Sequence, residues 1–394
     1  MRVAIVGAGM GGLALAVALQ EAGIDYQIYE RAPRPTEIGA GIHVAPNGVR
    51  LLTRLGLAGR LDEIGARPVA IESRRWQDGT VLGRTPLDAE FEQRYGRPYY
   101  VVHRIALHQE LLRLVQPSRL HCDRTCVAVT DHGDGAEIRF ADGTAVTADL
   151  VVGADGIRSV VRRAVLRDFP VYSGYVAFRG LVRAADAPFV FPEPRLVLWL
   201  GPERHVVSYP ISADFINLVA VTPVSRWTHD AWSVPGDLDR LRHAYHGWDD
   251  SVRTLLGGLT AVTEWALYDQ DPADSWGTGR VTLLGDAAHA LLPFVAQGAN
   301  MAFEDAVVLT ACLRAAPENV PGALRRYEDL RRPRTARIQG EARANAVSFH
   351  LPDSPDQVAR DSSGSGENVW RDRDRIFGYD AGAAIPSARS GTHA

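Results

Sequence analysis

The sequence predicts an α/β fold: a Rossmann-like domain, an inserted and mainly antiparallel β-sheet, and a C-terminal helix. Three observations predict it. The apolar run at residues 3–6 enters Gly7-Ala8-Gly9-Met10-Gly11-Gly12 and then a helical stretch, which is the strand, glycine turn and helix that open a Rossmann unit. Between Tyr172 and Tyr268 the hydrophobic period becomes strand-like, with strands expected at 175–182, 196–200, 205–211 and 215–222. After that a buried strand at 280–284 and a long helix at 321–346 bring helical patterning back. The expected division is 1–171 and 269–320 for the two parts of the first domain, 172–268 for the inserted sheet, 321–350 for the C-terminal helix and 351–394 for a partly mobile tail.

In the first unit Gly7 permits the tight turn, Gly9 lets a pyrophosphate approach the backbone, and Gly12 lets the helix pack closely on the strand. The helix runs through Leu13, Leu15, Val17 and Leu19 to Gly23, and the strand at 26–29 delivers Glu30, placed to accept from ribose hydroxyls. A proline- and glycine-rich loop follows and ends in Gly41-Ile42-His43. His43 is either an ordinary loop residue or part of a site, because it follows the strand ends where doubly wound sheets hold ligands. Pro46-Asn47-Gly48 then starts a helix.

Residues 69–84 alternate around Asp78-Gly79 and read as a hairpin, and 87–98 as a polar connection. Arg104 opens a helix carrying Ile105, Leu107, Leu111 and Leu112. A cation is disfavoured at that end, so it either points to solvent or answers an anion. Strands at 120–129, 136–140 and 145–152 lead to Gly153-Ala154-Asp155-Gly156, where Asp155 taken alone is a helix cap. Helices are expected at 238–245 and 251–256. The strand at 280–284 runs into Gly285-Asp286, and the helix after Gln297-Gly298-Ala299-Asn300 opens with amides that can hold an anion. The arginines of 321–346 read as a solvated helix face. A mobile segment is expected at 362–366 and disorder from about Ala384.

Composition excludes several classes. All 43 basic residues are arginine, so neither a Schiff-base lysine nor a Gly-Lys-Ser/Thr phosphate loop exists. Three cysteines without a C-x-x-C pair, and no H-E-x-x-H, point away from a disulfide framework and a metal centre and toward a reducing cytoplasm. A net charge of -4 gives no reason to expect nucleic acid or an anionic membrane as partner. The uncharged stretch 3–19 is too short and too glycine-rich to read as a membrane helix.

Three separated motifs, standing in one order, resemble the single-component (group A) FAD-dependent aromatic monooxygenases of the para-hydroxybenzoate hydroxylase fold. They are Gly7 to Gly12 with Glu30, the Asp-Gly motif from Gly153 to Arg162, and the Gly-Asp motif from Gly285 to Met301. The resemblance covers residues 3–345. It implies a Rossmann-like FAD-binding domain of the GR2 type, with cofactor contacts at Gly7, Gly9, Gly11, Gly12, Glu30, Arg31, Arg104, Cys126, Asp155, Asp286, Gly298, Ala299 and Asn300. Only one glycine turn follows a strand and opens a helix, so NADH or NADPH is expected to visit rather than to own a second nucleotide domain.

Within that family the chain looks closest to the salicylate, 3-hydroxybenzoate and 6-hydroxynicotinate hydroxylases, on residues 41–47, Tyr172-Ser173-Gly174-Tyr175 and Phe377-Gly378-Tyr379-Asp380. His205 and Tyr209 fall where those relatives place polar substrate contacts, and a spacing of four puts both on one face of a strand; the alternative is a pair filling a core. The implied activity is hydroxylation, with or without loss of carbon dioxide, of a phenolic or hydroxy-heteroaromatic acid by NAD(P)H and O2 through a flavin C4a-hydroperoxide. His205 or His43 would take the phenolic proton and Tyr209 would orient the oxygen. The chain departs from the family at Ala290 to Val295, which is apolar where several relatives are polar. That leaves open an epoxidase or tailoring hydroxylase of a larger, polyketide-like substrate. A flavin-fold binding protein without redox activity is the reading from another class, and Glu30, Arg104 and Asp286 argue against it. The expected partners are a small aromatic substrate, NAD(P)H and O2, with no nucleic acid, membrane or metal, in a cytoplasmic monomer or homodimer.

Overall fold

The computed structural model describes residues 1–35, 41–190, 193–229, 231–363 and 373–383. Its first sheet has five parallel strands in the order Val281–Leu283, Leu150–Gly153, Arg2–Val6, Asp25–Tyr29, Leu120–His121. These strands are apolar almost throughout because helices cover them. Met10–Glu21 is buried at nine of its twelve positions, and Gly298–Ala315 packs beside it. Both helices point their N-termini at the C-terminal edge of the sheet. A three-stranded meander, Cys126–Asp131, Ala136–Phe140 and Ala145–Ala148, lies next to it.

The second sheet has eight strands in the order Ser233–Pro235, Thr263–Asp269, Val171–Arg183, Phe215–Pro223, Arg204–Pro210, Arg195–Gly201, Ala70–Arg75, Val81–Pro86. The period of two splits it into two faces. Val176, Phe178, Val206, Ile216, Leu218 and Ala220 pack under the helices Leu238–Ala244 and Asp250–Gly257 through Leu241, Tyr245, Val252 and Leu255. The opposite face carries Ala177, Arg179, His205, Val207, Tyr209, Val219 and Val221, and is turned toward the parallel-sheet half of the molecule, where Leu292, Phe294 and Ala342 meet it.

The hairpin expected at 69–84 forms, and its first strand joins this sheet by pairing in parallel with Arg195–Gly201. The sheet therefore includes strands from outside 172–268. Three local expectations are corrected. The connection at 87–98 contains a helix, Ala89–Tyr95. Asp88 caps it by accepting from the Glu90 and Phe91 amides, Phe91 and Tyr95 are its buried face, and left-handed Gly96 ends it. The strand at 120–129 is broken at Asp123, which has φ 56°, and the strand at 145–152 is broken at Asp149. The C-terminal helix is Val320–Ser348, followed by Pro355–Ser363. The segment at 364–366 and the residues from Ala384 lie outside the described residues. No helix among the described residues is long and apolar enough to cross a membrane.

Candidate active site

The glycine turn sits where the register puts it. Val6 pairs with Tyr29 on one side and Gly153 on the other, so Gly7, Glu30 and Ala154-Asp155 leave the sheet side by side. Space there is reserved for backbone. Gly7 has φ +106°, and a Cβ on it would stand 2.5 Å from the Ala154 carbonyl oxygen; a Cβ on Gly12 would stand 2.1 Å from that of Gly7, and one on Gly11 2.6 Å from Leu284. Gly9 is the N-cap of Met10–Glu21 and offers no side-chain cap, so the first amides of that helix remain for a ligand. Glu30 accepts from the Ala8 amide at 2.8 Å and the Ala32 amide at 2.9 Å, which fixes the carboxylate beside the turn with lone pairs to spare for hydroxyls. Arg31 follows it, exposed.

At the other end of the cleft Gly285 turns with φ +63° and Asp286 is exposed between buried neighbours. A Cβ on Gly298 would meet its carboxylate at 3.8 Å, so Asp286 and the opening Gly298-Ala299-Asn300 of the next helix form one corner. A bare helix start, a glycine cradle and two carboxylates at the sheet's C-terminal edge suit a dinucleotide such as FAD.

Three assigned residues have their side chains committed elsewhere. Asp155 accepts from Ser159 Oγ at 2.5 Å and the Val160 amide at 2.7 Å, capping Val160–Val165, so its closeness to Gly7 is through backbone. Cys126 is buried in the meander, and burial pushes its thiol up to about 12. Asn300 is buried and ties its helix to the strand Gly41–Val44: Oδ1 accepts from the Ala45 amide, and Nδ2 donates to the His43 and Ala296 carbonyls.

Beneath this corner lies a network that the reading of a solvated arginine face missed. Arg331 is 0% exposed, as are Glu304 and Asp305. Its guanidinium donates to Asp305 at 2.7 Å and Glu304 at 2.6 Å, Arg334 also donates to Glu304, and Asn47 does so from the helix Pro46–Leu52. Asp305 further accepts from the Gly285 amide at 3.0 Å and binds His289 Nε2 at 2.6 Å. Burial pushes its carboxyl up, but His289 and Arg331 outweigh that and hold it at about 2. The network thus holds the Gly285 turn, and through it Asp286, in place.

Of the residues assigned to catalysis, two meet. His43, on Gly41–Val44, bonds Tyr99 Oη through Nδ1 at 2.9 Å and stands edge-on to Tyr209, ring centroids 4.5 Å apart. Burial lowers the imidazole to about 4, so it is neutral across the physiological range; burial also raises the Tyr99 and Tyr209 hydroxyls above their usual 10, keeping them protonated. Tyr209 lies flat enough against the backbone that a Cβ on Gly41 would stand 2.4 Å from its hydroxyl. Phe377 closes the cluster from behind, edge-on to Tyr95 and Tyr99, which explains the late Phe377-Gly378 motif.

His205 shares the face with Tyr209 but not its company. Four residues of strand separate them by roughly 13 Å. His205 is stacked on His350, at the end of the long helix, with Nδ1 2.7 Å from His350 Nε2, and Phe294 and Phe349 flank it. His350 gave no signal in sequence. Between the two rows runs a third, made of Val207, Val219 and Arg179. His205 and Tyr209 are buried, whereas these three are only partly so. The middle row, with Tyr209 and His43 at one end and the histidine pair at the other, is thus less buried than the two side chains that flank it on their strand. The arginine in an otherwise apolar strand, 175–182, was the available signal for it.

Comparison with known proteins shows the family and the fold. The profile of a family described as FAD binding domain matches residues 1–342. The 3-amino-4-hydroxybenzoate 2-monooxygenase of Streptomyces cremeus is 46% identical over 92% of this chain and 91% of its own. The 6-hydroxynicotinate 3-monooxygenase of Pseudomonas fluorescens is 37% identical over 86% and 89%. Among solved structures, a salicylate hydroxylase substrate complex superposes with TM-score 0.84 at 27% identity, covering 99% of each chain. Klebsiella pneumoniae HpxO complexed with FAD and uric acid gives TM-score 0.84 at 29%, covering 98% and 97%.

Proposed function

Because the chain belongs to the FAD-binding-domain family and is an FAD-dependent aromatic monooxygenase, we propose that it hydroxylates a phenolic acid of the amino-hydroxybenzoate kind, with NADH or NADPH as reductant and O2 as oxygen source. The observation that carries this is the cluster of His43, Tyr99 and Tyr209 beside the half-exposed middle row of the sheet face. The relatives covering most of the chain are named for oxygenation of hydroxylated aromatic acids.

When bound, FAD would supply the redox chemistry, hydride acceptance from the nicotinamide and activation of O2. Glu30, the glycine turn and Asp286 would hold it. The chain's own contribution to the oxygen-transfer step is a proton. In the tautomer where His43 Nδ1 donates to Tyr99 Oη, Nε2 carries a lone pair that accepts the phenolic proton, enriching the ring for attack. Tyr209 orients the phenolic oxygen, and Asn300 fixes the His43 backbone through its carbonyl. His205 is a second acceptor, on the other side of the middle row.

The apolar Ala290–Val295 segment, which in sequence suggested a larger substrate, has a packing explanation. Leu292 and Phe294 are buried against Ala177, Val221, Trp265 and Leu267 rather than left facing open space. The test is rapid-mixing anaerobic reduction of the purified flavoprotein by NADH and by NADPH, with and without 3-amino-4-hydroxybenzoate. Reduction accelerated by the phenol is expected; equal rates across a panel of phenolic acids would contradict the proposal.

A further inference from the structure

The histidine pair on the sheet face is built in a way that core filling does not require. His205, on Arg204–Pro210, and His350, just past the end of Val320–Ser348, are 2% and 6% exposed and share one hydrogen bond of 2.7 Å between Nδ1 of the first and Nε2 of the second. Phe294 and Phe349 flank His205, and the Tyr175 ring stacks on His350 at 4.5 Å. Glu203 reaches the pair through its amide, which donates to the His350 carbonyl, while its carboxylate acts on Tyr175. Apolar rings would fill this space without burying four ring nitrogens. The two outer nitrogens differ. His205 Nε2 makes no hydrogen bond within the protein and is not sealed. His350 Nδ1 is sealed without a partner in hydrogen-bond geometry, and the Ala346 carbonyl one turn back favours a proton on that ring.

One hydrogen bond between two imidazoles leaves two neutral arrangements. With protons on both Nδ1 atoms, His205 Nε2 is bare and ready to accept, and the Ala346 carbonyl favours this one. With protons on both Nε2 atoms, a proton has entered at His205 and another has left from His350. Burial holds His350 at about 4 and His205 well below its usual value, so an imidazolium is disfavoured and the shifts occur together. His43 creates the need for an outlet: held at about 4, it does not retain a proton near neutral pH, and its Nδ1 is already bonded to Tyr99.

We infer that the His205–His350 pair is the proton outlet of the site, with His350 a positioning residue that acts through His205; this rests on the hydroxylase reading above. The phenolic O–H breaks and His43 Nε2 takes the proton, which water along the half-exposed middle row carries to His205 Nε2. The Nδ1–H of His205 passes to His350 Nε2, and the Nδ1–H of His350 goes to solvent water at the helix end. One proton enters, one leaves, and both rings end neutral. The reverse shift returns a proton to the product oxygen and restores the first arrangement.

Two measurements on the oxidised holoenzyme test this. In the first, 3-amino-4-hydroxybenzoate is mixed rapidly with wild type, His350→Gln and His350→Phe of confirmed FAD content in weakly buffered solution. Ionisation of the phenol is read from its own absorbance and proton release from a pH indicator. Gln keeps an acceptor for the His205 Nδ1–H but does not pass a proton on. Ionisation and release should coincide in wild type and slow together by at least ~10-fold in both variants, with affinity for the phenol kept and the rate partly restored in His350→Phe by added imidazole. The second measurement needs no variant: in H2O–D2O mixtures the wild-type release rate should depend non-linearly on the deuterium fraction, because more than one proton moves. Release at the wild-type rate in His350→Gln, hydroxylation by wild type without proton release, or a linear isotope dependence overturns the inference and leaves the hydroxylase reading standing. A wild type that neither ionises nor hydroxylates any phenolic acid offered overturns both.

Discussion

His43 shows how a single residue acquires its chemistry from its surroundings. A free imidazole would be half charged near pH 6.5, but burial holds this one at about 4. Because the base must be neutral to accept a proton, coupled hydroxylation should stay level as pH falls to about 5 and decline only as pH approaches 4. A decline centred near 6.5 would show that His43 is not the base or is not buried in the working enzyme. His43→Gln should keep FAD and lower hydroxylation by about 100-fold, with oxygen diverted to hydrogen peroxide, measured as product formed per NAD(P)H consumed. Sequence made His43 and Tyr209 legible as candidates, since both lie in recognisable stretches. Their meeting was not legible, because it depends on Gly41 letting the Tyr209 ring lie against its backbone, a contact between distant parts of the chain.

At the scale of elements, the long helix Val320–Ser348 is where pattern reading failed. Arginines interleaved with acids look solvated, yet one face turns Arg331 into the core, where Glu304 and Asp305 on the helix Gly298–Ala315 receive it. Charge alone does not reveal burial; the partners belong to another helix. Removing one member of such a network leaves an uncompensated buried charge. Arg331→Met should therefore destabilise the protein by roughly 3–5 kcal/mol in denaturant unfolding, with reduced FAD retention because the Gly285 amide loses its fixed acceptor. A variant of unchanged stability would mean that water reaches Glu304 and Asp305. The short helix Ala89–Tyr95 was missed for a plainer reason: its Asp88 cap and Gly96 stop were present in sequence, but a polar stretch masked the two buried aromatics.

For the whole molecule, the parallel sheet and the strands at 172–268 were readable because local period reports burial. The pairing of Ala70–Arg75 with Arg195–Gly201 was not, since parallel pairing across so many residues leaves no local trace. The same non-local packing lowers the pKa of three of the site-side histidines. His43 and His350 are held at about 4 and His205 well below its usual value, all by burial first. Between pH 6.5 and 4 the unfolded chain binds protons that the native state refuses, so each imidazole removes up to about 1.4 kcal/mol of stability per pH unit as pH falls. The unfolding midpoint should drop steeply below pH 6.5, and the double variant His205→Asn, His350→Asn should flatten the slope; an unaltered slope would contradict their burial as neutral groups. The central claim is that this architecture transfers one atom of O2 to a phenolic acid. The most direct measurement is turnover of 3-amino-4-hydroxybenzoate with NAD(P)H under 18O2, with the product analysed by mass. One 18O atom per product molecule, at a product-to-NAD(P)H ratio approaching one, is the predicted result; NAD(P)H oxidation that yields only hydrogen peroxide with every phenolic acid offered would contradict it.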